Sequence, residues 1–127
     1  MSNRAVISAA AAPNAIGPYS QAIKVGNTVW ISGQIALNPD SNEMVTGDIE
    51  AETRQVFQNL SAIAEAAGSS LAHAVKVNIS LVQIGNFDVV NKIMEEFVQS
   101  PYPARACVQV AALPKNASIE IEAVLSF

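Results

Sequence analysis

The chain has 127 residues, 50% hydrophobic and only 14% charged, with 7 basic against 11 acidic side chains and a formal net charge of −4. One domain over residues 1–127 fits that length, and the apolar content excludes intrinsic disorder. The acidic balance argues against nucleic acid, whose binding begins with phosphate neutralisation, and no apolar run approaches the roughly 20 residues that would cross a membrane.

Residues 4–8 suit a short edge strand, and residues 9–18 a loop closed by Gly17-Pro18. Residues 20–25 and 28–35 read as strands joined across Gly26-Asn27, a strong hairpin signal. Alternation in the second puts Val29, Ile31, Gly33 and Ile35 on one face and Thr28, Trp30, Ser32 and Gln34 on the other. A turn-rich excursion follows over 38–47. Asp48 then opens a helix with Glu50 and Glu52 in its first turn, where carboxylates favour the positive helix end. Val56, Leu60, Ile63 and Ala67 recur at helical spacing, Phe57 and Ala64 widen the stripe, and Gly68 suits the position just past the end. Residues 74–84 return to period two, with Val75, Val77, Ile79 and Leu81 on one face. Asn86 is expected to cap a second helix that buries Val90, Ile93, Met94 and Phe97, stopped by Pro101 and Pro103.

Two strands, 104–112 and 118–126, close the chain around the 113–117 loop. The order β-β-β-α-β-α-β-β is an α+β layout, a mixed sheet with two helices on one face. The other face is left for a partner subunit. Scarce charge points the same way, since average chains carry about 25% charged residues, so a homo-oligomer is expected. Cys107 is the only cysteine, and the Ala tract after Arg4 is too short and mixed for a secretion signal. A reduced, cytoplasmic chain is expected.

With one histidine and one cysteine, a single chain cannot assemble the usual zinc site, so no metal is expected. There is no Walker A sequence, dinucleotide Gly-rich turn or G-x-S-x-G elbow. His73 lies in Leu71-Ala-His-Ala, which reads as a surface connector. The last two strands carry more chemistry. If Ala106, Val108 and Val110 face the core, then Arg105, Cys107 and Gln109 face away from it. Ile119, Ile121, Ala123 and Leu125 likewise leave Glu120 and Glu122 outward. Pairing the two strands as a hairpin would bring Arg105, Cys107, Glu120 and Glu122 to the helix-free side, with Glu120 opposite about Gln109 and roughly 13 Å from Arg105. Arg105 offers a bidentate fork for a small carboxylate, and a glutamate at a dry interface can trade protons near neutrality. The bland alternative is an interface ion-pair cluster with solvated glutamates. Cys107 has no evident base and reads as a half-buried strand residue whose backbone N–H could serve an anion. Tyr19 could wall a pocket or simply pack, and Gly33 suggests either a close approach by another backbone or ligand or a bulge.

Gly17-Pro-Tyr-Ser-Gln-Ala22, Ile31-Ser-Gly-Gln-Ile35, Pro103-Ala-Arg-Ala-Cys107 and Ile119-Glu-Ile-Glu-Ala123 occur in that order, with Glu65-Ala-Ala-Gly68 and Leu113-Pro-Lys115 between them. Over nearly its full length the chain closely resembles the RidA/YjgF family of small reactive-intermediate deaminases. The resemblance implies a chorismate-mutase-like α+β fold, a homotrimer with clefts between subunits, and no cofactor. It implies hydrolysis of 2-imino acids to 2-keto acids and ammonia, the imines arising from pyridoxal-phosphate dehydratases. Carried over by position, Arg105 holds the substrate carboxylate and Glu120 orients or activates water and manages protons. Tyr19 lines the pocket, and Ser32, Gly33 and Cys107 contribute neighbouring contacts. The chain departs from that pattern at Ala106, where Ser is common, at Gln109, where an acidic residue is common, and in a stretch from 97 to 103 that is about three residues short. A carboxylate-sensing module of the same fold is the alternative, and a ribonuclease or translation inhibitor a remoter one that the net charge opposes.

Overall fold

The computed structural model describes residues 3–127. Six strands, β1 (Ala5–Ile7), β2 (Ala22–Val25), β3 (Thr28–Gln34), β4 (Ala74–Leu81), β5 (Ala104–Gln109) and β6 (Ile119–Ser126), form one sheet in the order β1-β2-β3-β6-β4-β5. The helices are α1 (Ile49–Ala66), between β3 and β4, and α2 (Phe87–Phe97), between β4 and β5. β4 and β5 pair in parallel and every other neighbouring pair is antiparallel. No helix among the described residues is long and apolar enough to cross a membrane.

Local chemistry accounts for α1. Asp48 is extended at φ −149°, and its carboxylate accepts from the Glu50 N–H at 3.0 Å, a cap worth about 1 kcal/mol. Val56, Phe57, Leu60, Ile63 and Ala64 then bury one face against the sheet. At the far end Gly68 turns left-handed at φ +81°. This lets its N–H donate to Glu65 C=O and the Ser69 N–H to Ala64 C=O, satisfying carbonyls the helix leaves open. The Phe57 ring stacks on Phe97 with centroids 5.3 Å apart, tying α1 to α2. Asn86 stands just before α2 but makes no side-chain cap. It belongs to a 3-10 turn (Ile84–Asn86), and its φ −79°, ψ 0° is not the extended backbone that swings a cap onto the first-turn N–H groups.

Three register features differ from simple alternation. Ile31 pairs with Ala123 but Gln34 with Ile121, so β3 carries an extra residue at 32–33. The bulge turns Gln34 into the buried layer, leaves Gly33 exposed and ends the alternation expected for β3. A second shift at 74–76 puts Ala74 in the core in place of Val75, which is exposed.

The third difference concerns the last two strands, which form no hairpin. β6, with Ile119, Ile121, Ala123 and Leu125 all buried, sits between β3 and β4, and β5 is the edge beyond β4. An all-apolar face requires a central position, whereas a helical crossover such as α2 returns the chain parallel to the strand it left. Val77 pairs with both Arg105 and Ala123, and Ile79 with both Cys107 and Ile121. Arg105, Cys107 and Gln109 therefore share the helix-covered face with the buried row. Ala106 and Val108 share the opposite face with Asn78, Ser80, Glu120 and Glu122. Val108 is 52% exposed rather than in the core.

Candidate active site

The sheet brings Glu120, Gly33, Ser32 and Tyr19 together and sends Arg105 and Cys107 elsewhere. A hollow of ≈ 620 Å³ opens over the helix-free face, walled by Tyr19, Ser32, Gly33, Lys115, Glu120 and Glu122, with Ile16 and Leu37 as apolar lining. Its rim is held by hydrogen bonds. The Ser32 hydroxyl donates to Ser20 C=O at 2.6 Å, and the Ser32 N–H donates to Gln21 C=O at 2.9 Å. The buried Gln21 amide accepts from the Ala9 N–H at 2.6 Å and donates to Pro13 C=O at 2.7 Å, anchoring the loop that carries the wall. Tyr19, 53% exposed, accepts from the Ile16 N–H at 3.3 Å and presents its ring to the hollow.

Glu120 is the group with chemical potential here. Burial is the first cause raising its carboxyl above the usual carboxylate range, and the neighbouring Glu122 carboxylate is the second. Glu122 itself accepts a hydrogen bond from Asn78 Nδ2 at 3.0 Å. Gly33 is where Glu120 needs room. A Cβ there would lie 2.9 Å from Glu120 Cδ, 3.0 Å from Oε1 and 3.1 Å from Cγ. The bulge reading of Gly33 thus holds, and what comes close to it is the Glu120 side chain rather than the backbone or ligand the sequence suggests. Because only the flexible end of a side chain must yield, Gly33→Ala is expected to fold but to displace the carboxylate. Activity should fall about 10- to 100-fold with little change in Tm, as turnover and thermal melts would record.

Arg105 lies across the sheet from this hollow, on the side of α2. Its Nη1 donates to Asn91 Oδ1 and lies 3.8 Å from Met94 Sδ, and the guanidinium sits 4.9 Å from the Phe87 ring centroid. Two smaller hollows flank it, one with Asn91, Met94 and Tyr102, the other with Ile84, Phe87 and Cys107. Cys107 is half-buried, and burial raises its thiol above the ordinary range while Arg105 opposes the shift. A thiol so placed is a poor nucleophile.

The expectation that Arg105, Cys107, Glu120 and Glu122 project from one side is therefore corrected. The two glutamates occupy the helix-free face, and the arginine and cysteine the other. Gln109 and Glu120 are near one level along the sheet, as expected, but β4 runs between their strands. Sequence reading missed Phe87 and Asn91 and took Met94 only as a core residue; the three share a helix face by their spacing, the signal being a polar residue one position beside the Val90 stripe. It also missed Gln21, Ile16 and Lys115. His73 ends the 3-10 turn Leu71–His73, and its ring Nδ1 shares a 3.0 Å hydrogen bond with Ser69 Oγ, as a connector residue would. Among the described residues no group of three His, Cys, Asp or Glu side chains is arranged to hold a metal ion.

Comparison with known proteins places the chain in a family. The profile of the family described as Endoribonuclease L-PSP matches residues 9–126. A Dermatophagoides farinae protein named 2-iminobutanoate/2-iminopropanoate deaminase is 52% identical over 98% of both chains. A Homo sapiens protein of the same name is 49% identical over 95% of this chain and 88% of its own. The crystal structure of RidA from the Antarctic bacterium Psychrobacter sp. PAMC 21119 superposes with a TM-score of 0.93 at 50% identity, covering 97% of this chain and 99% of that one. On profile, identity and fold together, the chain belongs to the RidA/YjgF family, whose shared domain carries the Endoribonuclease L-PSP description.

Proposed function

We propose that the chain is a 2-iminobutanoate/2-iminopropanoate deaminase that hydrolyses reactive 2-imino acids to 2-keto acids and ammonia. The names of relatives near 50% identity over almost the whole chain support the activity. One observation carries the site. Glu120 is a half-buried carboxyl of raised pKa on one face of the sheet, and Arg105 an oriented guanidinium on the other. The hollow with Glu120 lacks Arg105 and those with Arg105 lack Glu120, so in this reading the working cleft joins the Glu120 hollow of one copy to the Arg105 side of another. A chorismate-mutase-like homotrimer supplies three such clefts. Trp30, 55% exposed on the helix-free face beside Ile23 and Val124, is the kind of surface such an assembly covers.

In the cleft Arg105 pairs with the substrate carboxylate, and Tyr19, Ser32 and Gly33 shape the space around the imine carbon. Glu120 takes a proton from water as the water oxygen bonds to that carbon, and returns it to the nitrogen that receives the C=N electron pair, giving a carbinolamine. It then takes the carbinolamine hydroxyl proton as the C=O bond forms and passes it to nitrogen as the C–N bond breaks, so that ammonia leaves and the keto acid remains. A carboxyl of raised pKa suits both halves of that exchange. Imine carbon is already electrophilic, so positioning and one proton relay are adequate chemistry. The test is keto-acid release from 2-iminobutanoate generated freshly by a dehydratase. The chain is expected to accelerate release well beyond the spontaneous rate. Tight keto-acid binding with no acceleration would instead identify a carboxylate-sensing module.

A further inference from the structure

Arg105 is held by α2 in a way its assigned role alone does not require. Phe87, Asn91 and Met94 follow one another at i, i+4 and i+7 and so lie on one helix face. All three touch the guanidinium. Phe87 offers its ring face at 4.9 Å, Asn91 accepts from Nη1, and Met94 places its sulfur 3.8 Å from the same nitrogen. Every one of these contacts is neutral. Among the described residues no carboxylate forms an ion pair with Arg105, although Glu95 lines the hollow beside it. The contrast is Arg54, which joins α1 to α2 through Glu96, pairs with Glu50 on its own helix, and so has its charge answered twice.

We propose that Asn91 is a positioning residue, the centre of a neutral cradle that orients the Arg105 guanidinium while leaving its positive charge for the substrate. The proposal rests on the reading that Arg105 takes the substrate carboxylate. An amide oxygen fixes one edge of the fork by hydrogen bonding. A carboxylate in its place would bind the fork more strongly and neutralise it, competing with an anionic ligand for the same donors. Asn and Asp are nearly isosteric, so packing alone would make the Asp substitution the milder change. Competition for the charge reverses that order.

The experiment measures 2-oxobutanoate binding by calorimetry to the assembled protein, with oligomeric mass and Tm recorded for each variant. Asn91→Ala frees the guanidinium and is expected to weaken binding about threefold. Asn91→Asp should weaken it about tenfold or more, and Asn91→Ser, which keeps a neutral acceptor, should recover part of the loss seen in Asn91→Ala. Asp milder than Ala, or wild-type binding in both, overturns the proposal. Should the Asp variant fail to assemble, the Ala and Ser pair decides, and absence of rescue by Ser overturns it. Arg105→Ala separates the two levels of inference. If it binds 2-oxobutanoate as wild type does, the carboxylate role of Arg105 fails. If it does not bind while the Asn91 variants do so normally, only the cradle fails.

Discussion

Glu120→Gln is expected to lower kcat for 2-iminobutanoate hydrolysis by about 10²- to 10⁴-fold, the range a positioned acid–base group supplies, while 2-oxobutanoate still binds. Gln preserves shape and hydrogen bonding but neither accepts the proton of water nor returns one to nitrogen. Its amide also removes the charge that burial opposes, so folding should be unimpaired. The pH profile tests the same assignment from another side. As the base that receives the proton of water, Glu120 works ionised. Burial first, and Glu122 second, raise its carboxyl above the ordinary range. A raised value means that the ionised fraction is lost at a higher pH as solution is acidified. The acidic limb of kcat/KM should therefore stand above the about 4.3 of an unperturbed glutamate. Glu122→Gln removes the smaller cause and should move that limb partway down, with burial holding the remainder. A limb at the unperturbed value in the wild type, or full activity in Glu120→Gln, would remove Glu120 from the chemistry.

Arg105→Ala is expected to reduce kcat/KM by about 10²- to 10³-fold, in keeping with loss of one partner from a hydrogen-bonded charge pair in a water-excluding cleft. The more searching measurement mixes this variant with Glu120→Gln. In one chain the two residues face opposite sides of the sheet, so the proposed cleft takes each from a different copy. Either variant alone fills every cleft with a defect. Trimers assembled from equal amounts of both have clefts in which the arginine comes from a Glu120→Gln chain and the glutamate from an Arg105→Ala chain. Random assembly leaves about a quarter of the clefts intact, and activity should return to about that fraction of wild type. Co-refolding the two chains and following keto-acid release provides the number. No recovery from a mixture proven to contain both chains would confine the chemistry to one protomer, against the face assignment on which the proposal stands.

The residue sequence by itself determined what depends on near neighbours. Asp48 with its acidic first turn, the Val56-Leu60-Ile63 stripe and Gly68 mark the beginning, inner face and end of α1, because caps and helical periodicity operate over a few residues. The Gly26-Asn27 turn and the buried side of β6 were legible for the same reason, since a tight turn and strict alternation are local signals. The short motifs also singled out Glu120 and Gly33, now found side by side.

Alternation states which residues of a strand share a face, not which strand lies next to it or which face meets the core. In β5, Ala106 and Val108 are as apolar as a core row, yet a strand at the sheet edge buries little on either side. Only the insertion of β6 between β3 and β4 assigned Arg105 to α2 and Glu120 to the open face. Gly33 hinted at the bulge at 32–33, but not at its neighbour, a carboxylate side chain arriving from a strand almost ninety positions away in the chain. Long-range pairing is selected by the total burial of all six strands together, a sum that no short window of residues contains.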